Sequence, residues 1–132
     1  MTEQSRVLEC HKTTLAENCE EAFRGPDAII LYGGYGHGEG GWVREHNVWR
    51  PYNDYDILVV GGEKLSHRDL QEFRTRLASE LNIRWVDITW TNKLRLASLR
   101  PSIFSYDLKH ASTLLAGDNS VFRWVRPGPA GR

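Results

Sequence analysis

Sulfur, long apolar runs and any excess of charge are all scarce in this chain of 132 residues, which holds two cysteines, one methionine and 17 basic against 17 acidic side chains. Cys10 and Cys19 both fall in one predicted helix, separated along its axis by about 13 Å. That is beyond disulfide reach, and two isolated thiols make a poor zinc site. A disulfide framework is therefore excluded, and reduced thiols of a cytoplasmic protein are expected. The longest clean apolar run is Ala28-Ile29-Ile30-Leu31-Tyr32, far too short to span a bilayer. No signal-peptide core follows Met1, so no membrane partner is expected. With balanced charge, long nucleic acid is not an expected ligand either. The balance is uneven along the chain, however. Residues 26–90 hold ten acids and seven bases, whereas residues 91–132 hold two acids and seven bases.

What is present is enough apolar material for one core, at 40% hydrophobic residues, and a length that fits a single domain. Val7, Leu8, Leu15, Cys19, Ala22 and Phe23 mark one face of a helix over residues 5–24, stopped by Gly25-Pro26. Ala28 to Tyr32 reads as a buried strand. Six glycines between Gly33 and Gly41 then predict a loop whose backbone comes close to something. Residues 42–53 read as an irregular excursion. Tyr55 to Val60 is a second strand. Ser66 is a candidate N-cap for a helix faced by Leu70, Phe73, Leu77 and Leu81. Ile83 to Trp90 is a third strand, residues 92–99 and 102–109 are short helices, and Ser112 to Ala116 is a fourth strand. The expected fold is α/β or α+β, one mixed sheet with helices packed on it. The domain is expected over residues 1–118, with 119–132 as a tail. Val121, Phe122 and Trp124 in that tail either dock on another surface, a second copy or a partner protein, or fold back on the chain's own sheet.

Three aspartates stand out by position. Asp54 and Asp56 are two apart at the start of the second strand, which puts both on one sheet face. Asp87 lies between Val86 and Ile88 and points opposite to them. If the second and third strands are neighbours, three carboxylates converge, and their mutual repulsion calls for a cation. Hard oxygen ligands of this kind suit Mg²⁺ or Mn²⁺, which also bind phosphate. The plainer reading sets Asp54 in a turn, Asp56 on a wet face and Asp87 beside an arginine. The nearby glycine run favours the metal reading, because Gly33, Gly34, Tyr35, Gly36 and His37 offer close-approaching backbone, and one imidazole, to a phosphate.

The order of these parts resembles the nucleotidyltransferase superfamily typified by DNA polymerase beta. The resemblance rests on Ile29-Ile30-Leu31-Tyr32-Gly33-Gly34, then Asn53-Asp54-Tyr55-Asp56-Ile57-Leu58-Val59-Val60, then Trp85-Val86-Asp87-Ile88, and covers about half the chain, residues 26–90. It implies a minimal nucleotidyltransferase domain in which Gly33 and Gly34 cradle the triphosphate and Asp54, Asp56 and Asp87 are catalytic metal ligands. It further implies transfer of a nucleoside monophosphate from an NTP to an acceptor hydroxyl. The spacer of 19 residues between Gly34 and Asp54 is longer than the superfamily's usual one. An alternative function with the same fold is an interaction module, such as the antitoxin half of a toxin–antitoxin pair.

Lesser signals are weighed against these. Gly36 to Gly41 formally matches a dinucleotide-binding glycine pattern, but no helical period follows it. His37-Gly38-Glu39 lacks the later cysteines of a zinc deaminase. Trp42, Trp49, Tyr52 and Tyr55 are candidates to stack on a base or sugar, and Lys93, Arg95 and Arg100 to touch a triphosphate.

Overall fold

The computed structural model describes residues 2–36, 40–98, 108 and 112–125. The first helix, α1, spans Glu3–Ala22; the Thr2 side chain accepts from Ser5 N–H and caps it. Its buried residues Leu15 and Cys19 face the sheet. Burial, with Glu20 nearby, pushes the Cys19 thiol up to about 12, so it is an inert packing group. Strand β1 spans Ala28–Tyr32, as its apolar run predicts. Next comes a single helical turn, α2, over Gly33–Gly36, where a loop is expected from composition. The turn exists because of what Gly36 touches. A Cβ there would lie 2.5 Å from the Leu31 carbonyl oxygen, and Thr113 Oγ1 donates to the Gly36 carbonyl at 2.6 Å. Tertiary contact thus overrides glycine's poor helix propensity.

Residues 42–53 are not irregular. Trp42–Glu45 and Val48–Pro51 form an antiparallel hairpin, β2 and β3. His46 and Asn47 turn it with φ of 51° and 63°, the left-handed pair that a two-residue hairpin loop demands. Tyr35 holds the base of this hairpin. Its hydroxyl donates to the Gly41 carbonyl at 2.6 Å and accepts from Asn53 N–H at 3.1 Å. Its ring meets Trp42 and Tyr55 edge to face. Tyr35→Phe should therefore lose about 1–2 kcal/mol in urea unfolding, since two backbone groups lose their partner. Its nucleotide affinity should change much less.

Strand β4 spans Tyr55–Val60 and helix α3 spans His67–Leu81, with the Ser66 side chain accepting from Asp69 N–H as predicted. Strand β5 runs Val86–Thr91 rather than from Ile83. Asn82 in the left-handed region ends α3, and Ile83 N–H still bonds Ala78 O, so residues 82–85 form the connection. Helix α4 is Lys93–Ala97 and strand β6 is Thr113–Gly117. The helix expected at 102–109 falls almost entirely outside the described residues, as does Arg100.

The main sheet has the order β5-β4-β1-β6. Strands β4 and β5 are parallel, and the other two pairings are antiparallel. One face carries Ile29, Leu31, Ile57, Val59, Val86 and Ile88 and packs under α1 and α3. The opposite face carries Ala28, Ile30, Leu58 and Val60 and packs under Leu96 of α4, Leu108, Val121 and Val125. Val121 and Val125 belong to a 3-10 helix, Asn119–Trp124, and its cap. Of the two alternatives for this segment, its valines close on the chain's own sheet, while Trp124 stays 45% exposed. Among the described residues no helix is long and apolar enough to cross a membrane.

Candidate active site

The alternation of a strand decides which side chains share a face. On β1 the second face runs Ala28, Ile30, Tyr32. On β4 it runs Asp56, Leu58, Val60. The pairing places Tyr32 opposite Asp56, and the parallel pairing places Asp56 opposite Asp87. Tyr32, Asp56 and Asp87 therefore form one row across three strands on the second face. Asp54, two residues before Asp56, lies on the same side just ahead of β4. Asp87 is exposed between buried Val86 and Ile88, as its flanks predict.

The row is electrostatically strained. Burial, then Asp87, then Asp54 raise the Asp56 carboxyl above the usual carboxylate range. Burial, then Asp56 and Asp87, raise the Tyr32 phenol, opposed by a side-chain hydrogen bond with Thr89. Sequence reasoning misses Tyr32. Its signal is the alternation Ala28, Ile30, Tyr32, which becomes readable once β1 is known to lie beside β4.

Gly33 stands against this row. Its φ is +72°, and a Cβ there would lie 2.7 Å from Asp56 Oδ2. Only glycine leaves the carboxylate room. Gly34 is the second residue of the same helical turn. Tyr35 follows, but its side chain is buried in the first-face core. It can serve a phosphate through its backbone alone. Gly36 is packed against Leu31 and Ser112, which makes it a structural glycine. His37 lies outside the described residues.

The aromatic candidates separate in the same way. Trp42 packs on Tyr35, and Trp49 Nε1 donates to Glu3 Oε2 at 2.8 Å. Tyr55 is buried, its hydroxyl 2.7 Å from His11 Nδ1, and burial lowers the His11 pKa. Only Tyr52, at 61% exposed, remains available to stack. Lys93 does not reach the acids. It follows the C-terminal end of β5, where it lies 3.8 Å from Asp27, and the acids lie at the opposite end. The plainer reading of Asp87 also has substance, since Arg74 Nη2 is 3.9 Å from its Oδ1.

Among the described residues no three His, Cys, Asp or Glu side chains make a metal-holding group by themselves. Mg²⁺ does not require one. It is commonly held by one or two carboxylates together with substrate phosphates and water. The Asp56–Asp87 pair, with Asp54 close enough to raise Asp56, supplies that donor set. Gly33, with no side chain of its own, sets its backbone directly beside the Asp56 carboxylate. The residues fit the cation that the sequence implies.

Solved structures share this fold. Chains of the toxin–antitoxin complex MntA–HepT superpose with a TM-score of 0.53 at 15% identity, over 87% of this chain and 77% of theirs. A toxin–antitoxin structure with AMP-PNP gives 0.55 at 18% identity, over 85% and 77%. The shared fold is nucleotidyltransferase-like, a mixed sheet with helices packed on it. A third likeness is to a complex of the tri-AMPylated Shewanella oneidensis HEPN toxin with MNT antitoxin, with a TM-score of 0.53 at 17% identity over 86% of this chain and 75% of that one. No family model and no curated protein matches the chain.

Proposed function

We propose that this protein transfers a nucleoside monophosphate from an NTP to a hydroxyl on a partner protein. The observation that carries this reading is the direct pairing of Asp56 with Asp87 beside a glycine that only the Asp56 carboxylate crowds. The protein acceptor is supported by the tri-AMPylated toxin in one similar complex and by the nucleotide analogue in another. The acceptor oxygen forms an ester bond to the α-phosphorus and the α–β anhydride breaks. Pyrophosphate leaves, and the hydroxyl proton passes to Asp87, the exposed acid of the row. Asp54, Asp56 and Asp87 would hold Mg²⁺ or Mn²⁺, which supplies charge neutralisation at the triphosphate. Gly33 and Gly34 admit the β- and γ-phosphates.

The test is a transfer assay with α-labelled NTPs, the chain, Mg²⁺ and a HEPN-type partner protein. Label should move to protein with release of pyrophosphate, and only when metal is present. Equal labelling in EDTA, or none with any of the four NTPs, would overturn the reading.

A second reading is favoured by one feature. Leu94 of α4 is 77% exposed and Trp124 45% exposed, on two elements that touch each other. Exposed apolar side chains on adjoining elements suit partner binding without turnover. A stable complex that inhibits the partner equally well in the Asp56→Asn form would favour it over catalysis.

A further inference from the structure

Arg74 stands on α3, on the far side of β5 from the acids, yet it reaches them around the sheet edge. Its side chain is 17% exposed. Nη1 donates to Gln71 Oε1 at 2.6 Å, and Nη2 donates to the Ile88 carbonyl oxygen. These two bonds fix the plane of the guanidinium. Nη2 then lies 3.9 Å from Asp87 Oδ1, which is too long for a hydrogen bond and close enough for a modest, solvent-screened charge interaction. Nε is buried without a hydrogen-bond partner among the described residues. A side chain kept merely to pack α3 on β5 would not need that buried donor; methionine would fill the space without it.

The spacing has a chemical consequence. An arginine hydrogen-bonded to Asp87 would occupy the oxygens that a cation needs. One held just outside contact steers the carboxylate and leaves both oxygens open. It also places a fixed positive charge next to the cation, offsetting part of the attraction of three acids. We propose that Arg74 is a positioning residue that orients Asp87 and weakens the row's hold on its divalent cation. Its turnover consequence rests on the nucleotidyl-transfer reading. Its effect on cation binding does not.

The experiment measures Mn²⁺ binding to the full chain by electron paramagnetic resonance, both without nucleotide and with a non-hydrolysable ATP analogue, alongside kcat and KM in the transfer assay. Arg74→Met should bind Mn²⁺ roughly three- to fivefold more tightly, as expected for removing a nearby like charge through solvent-rich surroundings. Its kcat should fall roughly tenfold, the usual scale for a lost partner behind a metal ligand. Arg74→Lys keeps the charge and the reach to Ile88 but not the fork. It should bind Mn²⁺ within about twofold of the wild type and recover only part of kcat. Tighter binding with slower turnover is a split that simple loosening of the fold does not produce. Unchanged or weaker Mn²⁺ binding in Arg74→Met, or full kcat in Arg74→Lys, would overturn the proposal. If Arg74→Met does not fold, the lysine variant decides the matter through kcat and Mn²⁺ affinity together. A wild-type chain that binds Mn²⁺ and shows the Arg74 shift, yet transfers no nucleotide, would overturn the proposed function and leave this inference standing.

Discussion

Asp56→Asn should lower nucleotidyl transfer by at least about 10²–10³-fold, because such chemistry depends above all on charge stabilisation at the reacting phosphate. The fold should survive the change and gain stability. The folded chain raises the Asp56 carboxyl through burial and through Asp87 and Asp54. An acid whose pKa rises on folding makes the native state less stable as pH climbs from the unfolded carboxyl value, about 3.9, through the raised folded one. Asparagine does not ionise and escapes that penalty. Urea unfolding should therefore separate Asp56→Asn from the wild type progressively across this window, with the variant the more stable at pH 7. The same stability difference between variant and wild type at pH 3 and pH 7 would show that neither burial nor the neighbouring acids disfavour ionised Asp56 in the folded chain.

Gly33→Ala should be damaging in a different way. At φ +72° an alanine costs about 1–2 kcal/mol for its backbone alone. Its Cβ would also sit 2.7 Å from Asp56 Oδ2, so the carboxylate must move. Transfer should fall by roughly 10²-fold, in keeping with the sensitivity of catalysis to displacement by about an ångström. Calorimetry should show triphosphate affinity falling much more than nucleoside affinity. If both weaken equally, Gly33 serves the backbone turn alone and no phosphate passes it.

Much of this arrangement is legible in the sequence. Strands β1 and β4 are short apolar runs bounded by Gly and Pro, and their limits match the expectation. The acids are legible because period-two alternation is strict, so Asp54, Asp56 and Asp87 declare their face from their neighbours alone. Three things are not legible, each for a physical reason. The hairpin β2–β3 has no clean alternation, because none of its residues is fully buried, and its turn uses His46-Asn47 where glycine is the common signal. The helical turn at Gly33–Gly36 is imposed by contact with Leu31 and Ser112, which glycine propensity cannot anticipate. Tyr32 and Arg74 look like an ordinary strand end and an ordinary helix-surface arginine. Their relation to the acids depends on which strands lie side by side, and that is information about topology.

The parallel pairing of β4 with β5 ties chemistry to folding in a further way. Every antiparallel contact in the main sheet involves β1, but the Asp56–Asp87 pair forms only when the chain has passed through α3 and returned alongside β4. A displacement of β5 by a single residue would carry Asp87 to the side of the sheet occupied by α1 and α3, and would bring Val86 or Ile88 out beside Asp56. The charged group would then be buried in the apolar layer, at a cost that makes such a misfolded species short-lived. A chain that has collapsed without completing this crossover holds one half of its acidic pair. The acidic pair is thereby complete only in molecules whose β5 lies in register beside β4.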